Sequence, residues 1–268
     1  MMVFYPDPDI MAMAGAGLSR AVSPYSLSYA SSALTMFDGV MAFASVSNFY
    51  STGVYSMQAG FASSSFGEWG FGASYIGSRA SDLLRVDGIT LFGALKGARN
   101  FSMGVSLGVF SAGSPAYSYY NDPRFRGTIY FPLLSVSARY EVSGFSFLFL
   151  AENMGAGYVS FFKKEEPQQG LPPRVLVDVG KEVSSGEQGR FWIFTSFGYE
   201  EASYFLSVGA LANFYDIFEL RAGVTPNDVS AGFGVNIYGV SFDAAFKAHR
   251  ALGVMATFGL SYRFGVFK

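Results

Sequence analysis

The residue types that ordinarily run covalent or metal chemistry are scarce in this chain. Its 268 residues include no cysteine and one histidine, His249. That removes disulfide frameworks, thiol catalysis and Cys-based zinc sites together. It leaves a single imidazole for any Ser-His-Asp relay or His-rich metal centre. A hydrolase would need a serine and a carboxylate within reach of that one ring, which follows Lys247 at a position read as a hairpin. Gly70-Phe71-Gly72 and Gly232-Phe233-Gly234 superficially match phosphate-binding glycine loops. No helical pattern follows either, so no helix N-terminus would meet a phosphate. No enzyme activity, metal or cofactor is expected. A net charge of −2 leaves no basic excess to hold a nucleic-acid backbone.

The charges that remain take their meaning from the elements that carry them. Only 14% of residues are charged, while 18% are aromatic and 32 are glycine. An ordinary soluble domain is about a quarter charged, so this chain has too little charge to coat a water-facing surface. Yet no stretch approaches the roughly 20 unbroken apolar residues of a spanning helix. The apolar residues instead alternate. Phe101, Met103, Val105, Leu107 and Val109 are separated by Ser102, Gly104, Ser106 and Gly108. Val254, Ala256, Phe258, Leu260, Tyr262 and Phe264 alternate with Thr257, Gly259, Ser261 and Arg263. Period two is a strand signal, because successive side chains leave opposite faces of the backbone.

In a soluble sandwich the second face would carry Lys, Glu and Thr to water; in a membrane barrel it lines a lumen. Here it is mostly Ser, Gly and Ala, which suits a crowded interior. By parity Glu219, Arg221, Asp243, Arg263, Arg139 and Glu141 fall on that inner face. Outside they would cost a few kcal/mol each near the bilayer midplane. Inside, opposite signs pair and brace the wall. The sharper alternative is an arginine meeting the carboxylate of a fatty-acid-like ligand.

The runs predict an all-β, transmembrane antiparallel β-barrel of about fourteen strands, with twelve the next best count. The predicted strands lie near 37–49, 51–62, 67–78, 86–97, 100–111, 128–141, 144–157, 174–182, 190–200, 202–213, 216–224, 228–238, 240–249 and 253–265. Residues 37–268 thus form the barrel, and residues 1–36, which do not alternate, form an N-terminal plug in the lumen. Ser63–Phe66, Glu200–Ala202 and Tyr238–Gly239 read as tight links. Ser111–Gly127 and Phe162–Pro173, the latter with Lys163-Lys164-Glu165-Glu166, read as solvated extracellular excursions. Phe49, Tyr199, Tyr262 and Phe264 are expected in the aromatic girdles, with Tyr50, Tyr117, Tyr119, Tyr120, Phe161 and Phe162. Asp7, Pro8 and Asp9 interrupt the apolar core that a secretory signal needs, so the signal is taken as removed or the start as misassigned.

Met13, Gly15, Ala16, Gly17, Leu27 and Leu34, with Tyr29 at a tryptophan position, fall in register with an N-terminal family pattern. Leu220-Arg221-Ala222-Gly223, Ser230 to Gly234, Ser241 to Phe246, and Leu252-Gly253 leading to Leu260-Ser261-Tyr262-Arg263-Phe264 match its last four strands. On these residues the sequence resembles the FadL-like outer-membrane proteins, most closely their PorV/PorQ-like branch. Ala30-Ser31-Ser32 stands where that family has Asn-Pro-Ala. The family usually ends on an aromatic residue read by the barrel-assembly machinery; this chain runs past Phe264 to Lys268. The resemblance implies a fourteen-stranded barrel with an N-terminal hatch in the bacterial outer membrane. It implies passive uptake of hydrophobic small molecules such as long-chain fatty acids, with membrane lipid and the assembly machinery as further partners. Gly15 and Gly17 would be its hinge, with Arg20, Ser31 and Ser32 as hatch or ligand residues. The alternative it offers is a non-transporting barrel that binds protein cargo or anchors a secretion assembly. A detergent-free monomer would instead mean a soluble ligand-binding β-protein.

Overall fold

The computed structural model describes residues 7–20, 23–49, 53–81, 84–97, 100–114, 128–154, 158–159, 169–170, 173–186, 188–200 and 203–264. Fourteen antiparallel strands close into a barrel in which the first pairs with the last. In chain order the strands are β1 (Val40–Phe49), β2 (Val54–Phe66), β3 (Trp69–Ala80), β4 (Leu84–Lys96), β5 (Phe101–Gly113), β6 (Ile129–Val142), β7 (Phe145–Met154), β8 (Tyr158–Val159), β9 (Gln169–Gly170), β10 (Arg174–Gly186), β11 (Gly189–Glu200), β12 (Ser203–Phe214), β13 (Phe218–Val224), β14 (Asp228–Ile237), β15 (Val240–His249) and β16 (Gly253–Phe264). The pair β8–β9 is a separate two-stranded sheet within the β7–β10 connection. Closure leaves every barrel strand paired on both sides, as hydrocarbon surroundings demand.

Alternation sets the two faces. Along β5 the odd residues from Phe101 to Val109 are exposed and the even residues from Ser102 to Phe110 are buried. Val105, Phe258 and Leu260 are 46%, 41% and 54% exposed, so the large apolar side chains point outward and not into a dry centre. Ser143-Gly144 and Tyr238-Gly239 each have positive φ at both residues and join strands through two-residue turns. That mirror-image turn matches the natural twist of the paired strands. These turns lie at the same end as both barrel termini; the β5–β6 and β7–β10 connections lie at the other.

Several sequence expectations need correction. The link placed at Ser63–Phe66 is strand: β2 runs on to Phe66 after a register shift, and the turn is Gly67-Glu68. The first strand begins at Val40, because Phe37 turns inward and packs with Leu34 and Met41. Phe49 is buried in the lumen beside Met11 and Met255 and is no girdle residue. Tyr199 and Phe264 do face outward. The inner face is also less uniformly small than the pattern suggested. Phe110, Phe131, Leu148, Leu150, Leu176, Trp192 and Phe194 all point in and are buried. Residues 115–127 and 160–168, Glu201–Ala202, and Tyr50 lie outside the described residues, as do the girdle and loop-tip assignments made there.

Candidate functional site

The described residues between 7 and 37 lie inside the barrel, and Asp7 organises their first turn. It caps a short helix, α1 (Pro8–Ala12), accepting from the amides of Asp9 at 3.0 Å and Ile10 at 3.1 Å. The same carboxylate accepts from Ser23 Oγ at 3.1 Å and from the Tyr29 hydroxyl at 3.1 Å. One acidic side chain thereby ties the front of the segment to the part 22 residues on. Burial pushes the Asp7 carboxyl up to about 6, against the pull of these donors. Burial also raises Asp9 well above the carboxylate range, with Arg221 opposing.

The barrel wall grips the segment through polar side chains on the inner face. Asp178 on β10 accepts from Gly17 N at 3.0 Å, from Ser19 N at 2.7 Å, and from Ser196 Oγ on β11. Gly15 and Gly17 have φ of +99° and +90°, a backbone shape that side chains resist, and Gly17 uses it to present its amide to Asp178. Arg20 lies 3.6 Å above the Trp192 ring. Arg139 on β6 donates to the Ser19 carbonyl and pairs with Glu141. Further along, Ser137 Oγ accepts from Ser32 N at 2.9 Å and Ser102 donates to Ser32 O at 3.0 Å. Ser31 and Ser32 are fully buried against Gly104, where an added side chain would collide with both. Gly209, Gly223 and Gly232 make the same allowance for Ala12 and Met13. The small inner residues thus leave the volume that the segment fills.

The inward charges singled out from the sequence form two groups, besides the pairings of Arg174 with Glu152 and Glu200 and of Lys247 with Asp228. Arg221 reaches Asp9 Oδ1 at 2.7 Å and Asp243 Oδ1 at 2.9 Å, and also pairs with Glu219. One guanidinium therefore joins β13 and β15 to α1, held by three carboxylates. Arg139 and Glu141 make the second group, on the far wall. Arg263 joins neither pairing; it sits 5.8 Å from the Phe37 ring centre and lines the cavity beside Arg221 and Asp243.

That cavity has a volume of about 380 Å³ and lies on the short-turn side of the segment. Asp9, Arg20, Trp192, Glu219, Arg221 and Asp243 are among the residues that line it. Its size is in the range of small-molecule sites. On the other side, toward the long connections, Ile76, Val86, Phe110, Phe131 and Leu133 form an apolar patch on the lumen wall. His249 uses Nδ1 to accept the amides of Ala251 and Leu252, each at 3.1 Å, which closes the expected hairpin.

Parity put Arg139, Glu141, Glu219, Arg221 and Asp243 on the inner face, where they lie; Gly15, Gly17 and Arg20, named as hatch residues from the resemblance, lie in the segment. The sequence reading missed Asp178, Asp7 and Asp9. Asp178 was visible in principle: within Val175-Leu176-Val177-Asp178-Val179-Gly180 it shares the inner parity of Gly180, and a buried carboxylate must find donors. Asp7 and Asp9 lie in a segment without period, where parity has nothing to act on.

A closed barrel with an apolar exterior and a polar, filled lumen is the architecture of an outer-membrane-type β-barrel. No family model and no curated protein matches the sequence. Solved structures share the fold. The CymD monoaromatic hydrocarbon channel aligns with a TM-score of 0.69 at 11% identity, covering 98% of each chain. The Ralstonia pickettii toluene transporter TbuX aligns at 0.68 and 13% identity, covering 96% of this chain and 98% of its own. A Pseudomonas aeruginosa FadL homologue aligns at 0.66 and 12%, covering 98% and 99%. The chain therefore has the fold of the FadL-type channels over nearly its whole length.

Proposed function

We propose that this protein is a passive channel of the bacterial outer membrane that admits hydrophobic small molecules past a hatch formed by residues 1–36. The observation that carries this reading is the lumen itself. A segment is seated there by hydrogen bonds, ion pairs and apolar packing, with no covalent link to the wall it fills, between an apolar wall patch on the long-connection side and a cavity on the short-turn side. Contacts of that kind exchange without covalent cost, so displacement of the segment can open a path. In this reading Gly15 and Gly17 give the hinge, Arg20 and Asp178 the latch, and Ser31 and Ser32 the fixed end. Arg221 with Glu219, Asp243 and Asp9, and Arg139 with Glu141, hold the hatch to the wall, and Arg263 borders the cavity. No catalytic step is involved.

Long-chain fatty acids are the substrate class that the sequence resemblance favours. Proteins of the same fold are named for toluene and monoaromatic hydrocarbons, which makes small aromatics the competing class. Uptake of radiolabelled oleate and toluene by cells exporting the protein separates the two. Arg20→Ala and Gly15→Pro should both change the rate; unchanged uptake in both variants would remove the hatch mechanism. The PorV/PorQ-like reading, with protein cargo as partner, rests on the terminal motifs alone.

A further inference from the structure

By strand parity, the charged side chains facing outward from the described barrel strands are Arg79, Arg85, Asp87 and Lys181. Lys181 stands apart near the short-turn rim, 3.8 Å from the Phe145 ring centre. The other three gather on β3 and β4 beside the hairpin at Ser81, at the end of the barrel that carries the long connections. Arg79 and Arg85 are direct partners in the β3–β4 register, and Gly77 pairs with Asp87 two residues along. Like charges placed opposite each other across a strand pair destabilise it. Outward charge in a lipid-facing wall costs more again, although the penalty falls near the interface.

The local contacts settle only part of that charge. Arg85 Nε pairs with Asp87 Oδ2, and the Tyr75 hydroxyl donates to Asp87 Oδ1. The Tyr75 hydroxyl lies over Gly77, where an added methyl would come within 2.7 Å of it. Asp87 is therefore fully engaged, and Arg85 is held upright with its side chain 54% exposed. Arg79 is exposed; it shares the field of Asp87, whose contact ion pair is with Arg85. Tyr55, its partner on β2, is 51% exposed and adds an outward-facing ring beside it. The patch is two guanidinium forks around one neutralising carboxylate, on the outward face and at the long-connection end of the barrel.

From this we infer that Arg79 and Arg85 clamp a phosphate group of an outer-leaflet lipid, a phosphorylated glycolipid of the lipid A type. Planar forks on facing strands match the oxygens of a phosphomonoester, and an anion between them relieves the repulsion that the register imposes. The acyl chains of the same lipid then lie along the exposed Ile89 and Leu91 of β4. The inference rests on the outer-membrane location proposed above and is independent of transport.

The test is a titration of the detergent-solubilised full-length protein with lipid A, dephosphorylated lipid A and inorganic phosphate. The clamp predicts saturable binding of lipid A and weak binding of the other two. R79A/R85A should lower lipid A affinity by at least about tenfold. R79K/R85K preserves charge and removes the forks, so it should fall between. Lys181→Ala should bind as the parent does. Heat-modifiable migration in detergent gels checks that each variant is still a closed barrel. Equal binding by the parent and R79A/R85A, or by dephosphorylated lipid A, would overturn the clamp. Tight binding of inorganic phosphate alone would overturn the lipid assignment. Uptake assays are not involved, so failure here would be separate from failure of the channel reading.

Discussion

The Asp178 carboxylate on β10 receives the backbone amide of Gly17 at 3.0 Å, across 161 residues of sequence. It holds Ser19 N and Ser196 Oγ as well, so one wall residue collects three donors. Asp178→Ala leaves those donors buried and unpaired, at a cost of about 2–4 kcal/mol. The urea midpoint should fall, and single-channel conductance in planar bilayers should rise as the segment loosens. An unchanged conductance would show that this contact does not govern the lumen.

Arg221 is the single cation among Asp9, Glu219 and Asp243. Its replacement by alanine strands three carboxylates in a buried site, and we expect destabilisation of about 3–5 kcal/mol. Adding Asp9→Asn and Asp243→Asn to Arg221→Ala should restore much of the loss. Chemical denaturation of the single and triple variants makes the comparison. A triple variant as weak as the single one would refute the ion-pair account.

Docking of the segment should weaken as pH rises. Asp7 has its carboxyl pushed up to about 6 when seated, against about 4 in a free chain. The seated state therefore binds the proton more tightly than the released state. The part due to Asp7 is strongest below about pH 4 and is lost by the time pH has passed about 6. Asp9 is displaced in the same direction and reinforces the trend. With Trp69 replaced by Phe, the emission of Trp192 under Arg20 reports release of the segment. Asp7→Asn should remove the part of the decline between about pH 4 and pH 6, and adding Asp9→Asn should remove the remainder.

Gly223 sits on the inner face of β13, against the backbone of Met13 and Ala14. Gly223→Val suits a strand but collides with the segment. The barrel should keep its β-rich circular dichroism and heat-modifiable migration. Trypsin should then cut at Arg20, which its seat over Trp192 should protect in the parent. Continued protection would mean that the wall yields instead of the segment.

The barrel was legible because its physics is periodic. Phe101 to Val109 and Val254 to Phe264 sort by parity, and hydrocarbon on one side keeps that parity clean. Where both faces are apolar, as in Phe145-Ser146-Phe147-Leu148-Phe149-Leu150, parity still places the strand but not the large side chains of the lumen. The segment contacts were illegible for a different reason. They pair residues more than a hundred positions apart, such as Ser32 with Ser137, and no local pattern in residues 7–37 marks which wall strand each will meet. The glycines of the inner wall carry the trace of that segment as missing volume, which reads in sequence only as smallness.

The pairing of β1 with β16 brings the two ends of the barrel sequence together as the last seam of the cylinder. The chain that occupies the interior runs directly into β1, so it lies on the inner side of that seam. Seating of the segment and fastening of that seam therefore act on the same stretch of wall, with the start of the first strand tethering one to the other.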